Sequence, residues 1–247
     1  MTRLSTLSRS VAGRGALVAV TDTRIETVNA VVAEIERAGG KARGWVLDVG
    51  DDAQVAQVVP EIAAAFGRLD IVVNNAGISA AVPIDDPGYM AHWDRQLSIL
   101  LTANVRVIRA ALPFLRASDA ARIVNIASTE ALGATKLFSV YSAAKAGVTG
   151  LTRSLAVELG PEAITVNCIC PGPIRTAMTA LVPEKDKEIF AKRRVALQPL
   201  RRTRGGGARH AQLLPARFAV HHRNHAGCRR RADGAQRLSR SHRGARE

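Results

Sequence analysis

Two hydrophobic periods alternate along most of this chain, and this alternation limits the folds it can adopt more than any other feature. Short runs rich in valine and isoleucine, such as ALVAVT at residues 16–21, are typical of buried strands. Between them, longer stretches repeat apolar residues at helical spacing, the first ending at Gly39-Gly40. Strands joined by helices run parallel and are covered on both faces, so the pattern predicts an α/β domain with a doubly wound parallel sheet. The predicted strands cover residues 16–21, 42–48, 69–74, 122–127 and 165–169, and further helices are predicted near residues 52–66, 92–116 and 139–159.

Length and cysteine content exclude several other classes of protein. At 247 residues and 47% hydrophobic content, the chain is long enough for one core and short for two. It has no uninterrupted apolar run of about 18 residues, which argues against a membrane-spanning helix. Cys168, Cys170 and Cys228 are too few for a disulfide scaffold and lack the spacing of zinc ligands. No metal site is therefore predicted, and the cytoplasm is the expected compartment.

Positive charge is concentrated at one end of the sequence. The formal net charge is +14, but residues 201–247 hold 13 arginines against one aspartate and one glutamate. Composition therefore divides the chain into an N-terminal segment outside the strand and helix pattern at 1–14, a folded domain at 15–202, and an arginine-rich tail at 203–247. Such a tail binds polyanions, but without interleaved aromatic residues or a recognition motif it predicts no specific nucleic-acid partner. Its histidines and Cys228 match no common zinc pattern.

Tyr141 and Lys145 are the first candidates for catalytic residues. They are four residues apart in YSAAK, so both project from one face of a predicted helix. An ammonium group beside a phenol favours the phenolate, which suits acid and base catalysis. Ser128, at the end of the preceding strand, is placed to hydrogen-bond a substrate oxygen. The Tyr and Lys spacing alone also occurs in surface pairs, so a chance pairing stays open at this point.

The order of several further motifs resembles the short-chain dehydrogenase/reductase family. Residues 74–77 (NNAG) end one predicted strand, Ser128 precedes Tyr141 by thirteen residues, and Pro171-Gly172 follow the next strand. The resemblance covers roughly residues 15–202 and implies a Rossmann-like fold. It also implies that Tyr141 is the general acid and base and that Ser128 orients the substrate oxygen. Lys145 is then expected to favour the deprotonated form of Tyr141 and to hold the nicotinamide ribose.

The same resemblance implies a nicotinamide cofactor. Asp22 ends the strand that meets the adenosine ribose, where a carboxylate accepts hydrogen bonds from hydroxyls and repels a 2′-phosphate, so NAD is favoured over NADP. The alternative for Asp22 is a carboxylate that caps the following helix, and the alternative for Thr176 is an ordinary loop threonine. The implied cofactor contacts are Asp22, Asp48, Val49, Asn75, Ala76, Gly77, Tyr141, Lys145, Pro171, Gly172, Ile174 and Thr176.

Two parts of the domain depart from the family pattern. The family opens with a strand and a TGxxxGxG turn that approaches the cofactor pyrophosphate, and residues 1–14 contain neither. Leu100 occupies the position where the family usually has an asparagine on the helix near the active site. Asn104 lies four residues later on the same helical face, about 6 Å further along the axis.

The tail is a third departure. In a reading frame displaced by one nucleotide, with CGN arginine codons, residues 220–234 become compatible with FITGTMLVVDGGLTV, which resembles the usual family ending. We interpret the sequence from about residue 203 as translation out of frame. The sheet is then predicted to lack the first and last strands of the family, and a tetramer or dimer is expected where that ending is restored.

These observations predict an NAD(P)-dependent oxidoreductase that interconverts a secondary alcohol and a ketone. The pocket residues implied by the resemblance suggest an apolar small-molecule substrate: Ile78, Val82, Tyr89, Trp93, Met178 and Leu181. The missing turn and Leu100 put the activity of this particular chain in question. They favour the alternative, a non-catalytic remnant or binding protein whose basic tail contacts polyanions. No membrane association is predicted.

Overall fold

The structure is a computed structural model that describes residues 12–13, 15–172 and 185, all within Met1–Leu213, the first of the two units into which the chain divides. Strands and helices alternate along the described part, as the sequence predicts. The strands are β1 (Leu17–Asp22), β2 (Lys41–Val46), β3 (Ile71–Asn74), β4 (Arg122–Ile126) and β5 (Thr165–Ile169). The α-helices are α1 (Ile25–Arg37), α2 (Asp52–Phe66), α3 (Tyr89–Leu97), α4 (Ala103–Arg116) and α5 (Ser139–Leu159). Short 3₁₀ turns lie at Thr129–Ala131 and Gly160–Glu162.

All strand pairings in the described part are parallel. β1 pairs with β2 in one sheet, and β4 lies between β3 and β5 in a second sheet. The register places Asn74 opposite Asn125, and Ile126 opposite Ile169. With its flanking helices, this arrangement confirms the predicted α/β class and the Rossmann-like fold. Because parallel strands end at the same edge of a sheet, the polar residues that follow them are brought close together.

Helix α2 shows how local sequence sets the limits of an element. The Asp51 side chain accepts hydrogen bonds from the backbone N–H groups of Ala53 and Gln54, which caps the first turn. Donation from the Gln54 N–H is the main reason that the pKa of Asp51 lies below its usual value. The helix ends at Gly67, whose φ of 73° is in the left-handed region that favours glycine.

The main core connects the two sheets through α2. Val55, Val59 and Ile62 of α2 belong to a buried cluster that also contains Val72 of β3 and Ile123 of β4. Ala19 of β1 and Trp45 of β2 pack against the same cluster, and the Trp45 ring meets Phe66 edge to face at 5.6 Å. The two sheets therefore share one apolar layer even though the described residues contain no ladder between β1 and β3.

A smaller core lies on the other side of β1. Val28, Val31 and Ile35 form the buried face of α1 and pack with Val20. Ala12, which lies upstream of the predicted domain start at residue 15, belongs to this cluster too. The packing of the domain therefore begins before that predicted boundary.

The prediction of one continuous helix near residues 92–116 is wrong, because the structure interrupts it. The structure divides this stretch into α3, a π-helical turn at Ser98–Thr102, and α4, and turns of this kind concentrate at functional sites. By length and composition alone, Tyr89–Arg116 could cross a membrane. Ile108, Ala111 and Leu115 of α4 are buried in the main core, which is the arrangement of a core helix in a globular domain.

Candidate active site

Tyr141 and Lys145 lie one turn apart on α5, as their spacing predicts. The Lys145 Nζ is 5.8 Å from the centroid of the Tyr141 ring, and both residues line one cavity at the carboxyl ends of the strands. The Tyr141 ring also meets Phe138 edge to face, with centroids 6.2 Å apart. The phenol and the ammonium group therefore face a common space from one rigid helix.

Lys145 is held in place by the end of β4. Only 5% of the residue is exposed, and its Nζ donates a hydrogen bond of 2.7 Å to the Ile126 carbonyl oxygen. A buried ammonium group is costly unless hydrogen bonds or charges compensate for lost water. This contact fixes the ammonium within reach of the cavity and ties α5 to the central strand of the sheet.

Ser128 is positioned by the turn that follows β4. Its Oγ accepts a hydrogen bond of 3.2 Å from the Glu130 N–H and caps the 3₁₀ turn at Thr129–Ala131. The hydroxyl hydrogen is not used by that contact, so the group can still donate. The residue borders Ala127 and does not itself line the cavity in the described part of the chain. Pro171 lies beside the same turn, since the Thr129 N–H donates to its carbonyl oxygen at 3.0 Å.

A chain of buried polar side chains runs beneath the site. The Asn74 Nδ2 donates to the Asn125 Oδ1 at 2.8 Å, and the Asn125 Nδ2 donates to the Thr152 Oγ1 at 3.0 Å. The Thr152 hydroxyl in turn donates to the Val148 carbonyl oxygen at 2.8 Å. This chain links β3, β4 and α5 with fixed geometry. Sequence reasoning missed this role, although an asparagine inside the apolar run IVNIA is the signal that could have indicated it.

The cavity has a volume of about 760 Å³, within the range of small-molecule and cofactor sites. Residues of β1 and β3 line it, including Ala19, Thr21, Ile71 and Val73, together with residues that follow the strands. Eight of the predicted cofactor contacts line this cavity: Asp22, Asp48, Val49, Asn75, Ala76, Gly77, Tyr141 and Lys145.

Two carboxylates mark the end of the cavity that β1 and β2 supply. The Asp22 Oδ1 accepts a hydrogen bond of 3.1 Å from the Arg24 N–H just before α1, and the residue also lines the cavity. The N-cap position of α1 is Arg24, and no side chain caps the helix, so the contact of Asp22 lies in the turn before the helix and is not a helix cap. Asp48 is fixed by a 2.8 Å hydrogen bond from the Gly50 N–H to its Oδ1.

Asn104 lies in one wall of the site, and Leu100 is buried one turn before it without lining the cavity. Leu100 is buried in the π-helical turn, and a Cβ added at Gly77 would lie 3.4 Å from its Cδ2. The Asn104 Nδ2 donates to the Leu100 carbonyl oxygen at 3.3 Å, and Asn104 lines the cavity. The wall therefore presents an amide one turn beyond the position at which the family resemblance predicts one.

The remaining predicted residues differ in where the structure places them. Ile78 lines the cavity, whereas Val82 and Tyr89 are buried together with Val140, and Trp93 packs against them. Pro171 and Gly172 are described but do not line the cavity. The others lie outside the described residues: Ile174, Thr176, Met178 and Leu181. Among the described residues, no group of histidine, cysteine, aspartate and glutamate side chains is arranged to hold a metal ion.

A family model for short chain dehydrogenases matches residues 5–187, about three quarters of the chain. The chain belongs to the short-chain dehydrogenase family. The resemblance seen in the sequence is thereby confirmed, and the chain is an oxidoreductase homologue of enzymes that act on CH–OH groups and use NAD or NADP.

Relatives with different substrates share this domain. The chain is 41% identical over 182 residues to the (2S)-[(R)-hydroxy(phenyl)methyl]succinyl-CoA dehydrogenase subunit BbsD of Thauera aromatica. The matched residues are 74% of this chain and 73% of that protein. The chain is 40% identical to a 3-alpha-(or 20-beta)-hydroxysteroid dehydrogenase of Mycobacterium tuberculosis, over 71% of this chain and 66% of that protein.

Solved structures agree with this assignment. The crystal structure of a gluconate 5-dehydrogenase from Burkholderia cenocepacia, in complex with NADP and tartrate, superposes with a TM-score of 0.71 at 27% identity and covers 78% of each chain. The fold described above is therefore that of short-chain dehydrogenases over most of its length.

Proposed function

We propose that this short-chain dehydrogenase interconverts a secondary alcohol and a ketone with NAD, using Tyr141, Lys145 and Ser128. The observation that carries the proposal is that Tyr141 and Lys145, one turn apart on α5, line the same cavity as Asp22. A proton donor and acceptor, a fixed ammonium group and a ribose-binding carboxylate thus share one space. The proposed setting is the cytoplasm, and the proposed assembly is a homo-oligomer.

The residues that line the cavity fit a nicotinamide dinucleotide. Asp22 and Asp48 offer acceptors for ribose hydroxyls and an adenine amine, and Gly77 leaves backbone open to close approach. When bound, the nicotinamide supplies or accepts the hydride. Asp22 favours NAD because its charge opposes a 2′-phosphate, whereas the related gluconate 5-dehydrogenase was crystallised with NADP. Both nucleotides therefore belong in the test.

The chain's own side chains manage the proton. The Tyr141 hydroxyl gives a proton to the carbonyl oxygen during reduction and takes it from the alcohol during oxidation. The Lys145 ammonium, held by the Ile126 carbonyl oxygen, stabilises the phenolate of Tyr141. Ser128 donates its hydroxyl hydrogen to the substrate oxygen. Ile78, the predicted pocket residue that lines the cavity, favours an apolar substrate.

The experiment measures nucleotide binding and turnover separately on the full chain. Titration with NAD and with NADP, followed by tryptophan fluorescence, should show tighter binding of NAD. A panel of apolar secondary alcohols should yield reduced nicotinamide, and Ser128→Ala should reduce that rate while leaving nucleotide affinity unchanged. Binding without turnover of any alcohol or ketone would overturn the proposed reaction.

The same protein tests the alternative of a non-catalytic binding protein. Residues 201–247 carry 13 arginines, and arginine-rich segments bind phosphate backbones with strong salt dependence. Absence of turnover combined with salt-sensitive binding to a polyanion such as heparin would favour that alternative. Turnover that depends on Ser128 and Tyr141 would exclude it.

A further inference from the structure

Arg106 is a largely buried cation on α4 that the proposed reaction does not use. Only 19% of its side chain is exposed. Its Nε donates a hydrogen bond to the Asp52 Oδ1 at the start of α2. Its Nη1 donates to the carbonyl oxygen of Ser98 at 3.2 Å and to the Oγ of the same residue at 3.1 Å. Because the fork of N–H groups on a guanidinium serves several acceptors at once, this one side chain joins α2 to the π-helical turn.

The Ser98 carbonyl oxygen is also the acceptor that closes the π-helical turn. The Ala103 N–H donates to it from five residues later, which is the hydrogen-bond pattern of a π-helix. Arg106 therefore adds a side-chain donor to the oxygen on which the turn depends. Ile99, the second residue of the turn, lines the cavity. Through its contacts with Ser98, the guanidinium thus stabilises the segment that presents Ile99 to the site.

The loop that precedes α2 borders the same part of the cavity. Asp48 and Val49 of this loop line the cavity. The Asp48 N–H donates to the Gln54 Oε1 of α2 at 3.0 Å, which ties the loop to the first turn of that helix. A Cβ added at Gly50 would lie 3.7 Å from the Ile99 Cγ1, an ordinary van der Waals distance. The loop and the π-helical turn therefore meet beside the cavity, and the guanidinium links the elements that carry them.

We propose that Arg106 is a positioning residue for the nucleotide. By holding α2 to the π-helical turn, it sets the spacing between Ile99 and the loop of Asp48 and Val49, where the adenine portion binds. A flat base gains attraction only from groups that stay at van der Waals distance, so loss of the link weakens that portion of the contact. The nicotinamide portion is spared, because Lys145 is held by the end of β4. This inference rests on the nucleotide site of the proposed function and not on its chemical step.

The test titrates the full chain and its Arg106→Gln variant with the two halves of the dinucleotide. The affinity for AMP should fall by about 3–10-fold, the size of effect expected from a residue that acts through its neighbours. The affinity for nicotinamide mononucleotide should stay at the wild-type value. In turnover, KM for NAD should rise while kcat is unchanged. Arg109→Gln is the matched control, because Arg109 is exposed on the same helix and forms no ion pair among the described residues, so both affinities should survive.

A second variant keeps the test decisive where Arg106→Gln fails to fold. The Asp52 side chain is 78% exposed, so Asp52→Asn removes one partner of the guanidinium at the surface and should weaken AMP binding by a smaller factor. Unchanged AMP affinity, or equal losses for AMP and nicotinamide mononucleotide, would overturn the inference even where turnover depends on Ser128. Selective loss of AMP affinity in a chain that turns over no alcohol or ketone would support the inference and contradict only the proposed reaction.

Discussion

The three-stranded sheet and the two-stranded sheet of this domain differ in how firmly they hold the residues at their carboxyl ends. β4 is paired on both sides, and the buried hydrogen bonds among Asn74, Asn125 and Thr152 join its sheet to α5. In the two-stranded sheet, β1 has one buried residue and Leu17 is 50% exposed. The proposed chemical step is thus built on the firmer sheet, and nucleotide recognition depends on the less buried one. Substitutions in the two sheets should therefore have different consequences.

Tyr141→Phe should have the largest effect on activity. It removes the proposed proton donor from the firmer sheet's helix but keeps the ring contact with Phe138. Turnover should fall by about 10²–10⁴-fold, while nucleotide affinity and melting temperature stay close to wild type. Steady-state kinetics and nucleotide titration check both points. Tyr89→Phe is the matched control, because its hydroxyl contacts only Ser139 among the described side chains and turnover should survive its loss.

Asn125→Ala should have the largest effect on stability. It leaves the Asn74 amide and the Thr152 hydroxyl without their buried partner, at a cost of about 1–3 kcal/mol in the free energy of unfolding. Denaturant unfolding gives the value. Asn167→Ala, on the exposed face of β5, is the control, and its effect should stay within about 0.5 kcal/mol. Equal effects of the two substitutions would show that the buried hydrogen bonds do not stiffen this sheet.

Asp22→Asn should change nucleotide selectivity and little else. The change weakens the hydrogen bonds from the ribose hydroxyls to Asp22, so NAD affinity should fall by roughly tenfold. It also removes the charge that opposes a 2′-phosphate at the end of β1, so NADP should bind relatively better. Competitive titration of the two nucleotides measures the ratio. Glu26→Gln, in the first turn of α1, serves as a control for a general loss of negative charge. A turnover defect at saturating nucleotide would contradict the separation of roles between the two sheets.

Asp70→Asn should have the smallest effect, and the size of that effect should depend on pH. The hydrogen bond from Arg68 is the main cause that lowers the pKa of Asp70, and the Ser118 hydroxyl adds to it. The pKa of Asp70 is lower in the folded state than in the unfolded state. Its contribution to the free energy of unfolding is therefore fully present above about pH 4 and is lost as the pH falls through the pKa of the folded state. The difference in melting temperature between wild type and Asp70→Asn should therefore shrink between pH 6 and pH 3. A constant difference would show that this carboxylate does not contribute through its charge.

Much of the fold follows from local pattern, with specific exceptions. Helix α2 has the predicted bounds because Asp51 caps its start and Gly67 ends it. The predicted strand at 42–48 ends at Val46, although the Leu47 N–H still donates to the Asp22 carbonyl oxygen. The π-helical turn at Ser98–Thr102 interrupts a stretch whose hydrophobic period is that of one helix, and nothing in that period distinguishes it from regular helix.

The candidate site shows a similar division. Spacing alone placed Tyr141 and Lys145 on one helical face, because residues four apart in a helix always share a face. The sequence could not show that Lys145 is held by the Ile126 carbonyl oxygen, or that Asn104 reaches the Leu100 carbonyl oxygen. Those contacts depend on how α5 and α4 pack on the sheet. The predicted contacts Ile174 and Thr176 stay predictions, since they lie outside the described residues.

By itself, the sequence determined the alternation of strands and helices, the family, and which residue types gather at the strand ends, because each of these follows from periodicity and short-range spacing. Only the tertiary structure decided that Pro171 lies beside the turn that follows Ser128, and that Asn74, Asn125 and Thr152 form one buried chain. The physical reason is that hydrogen bonds between distant segments depend on strand register and helix packing, and neither is encoded at any single position of the sequence.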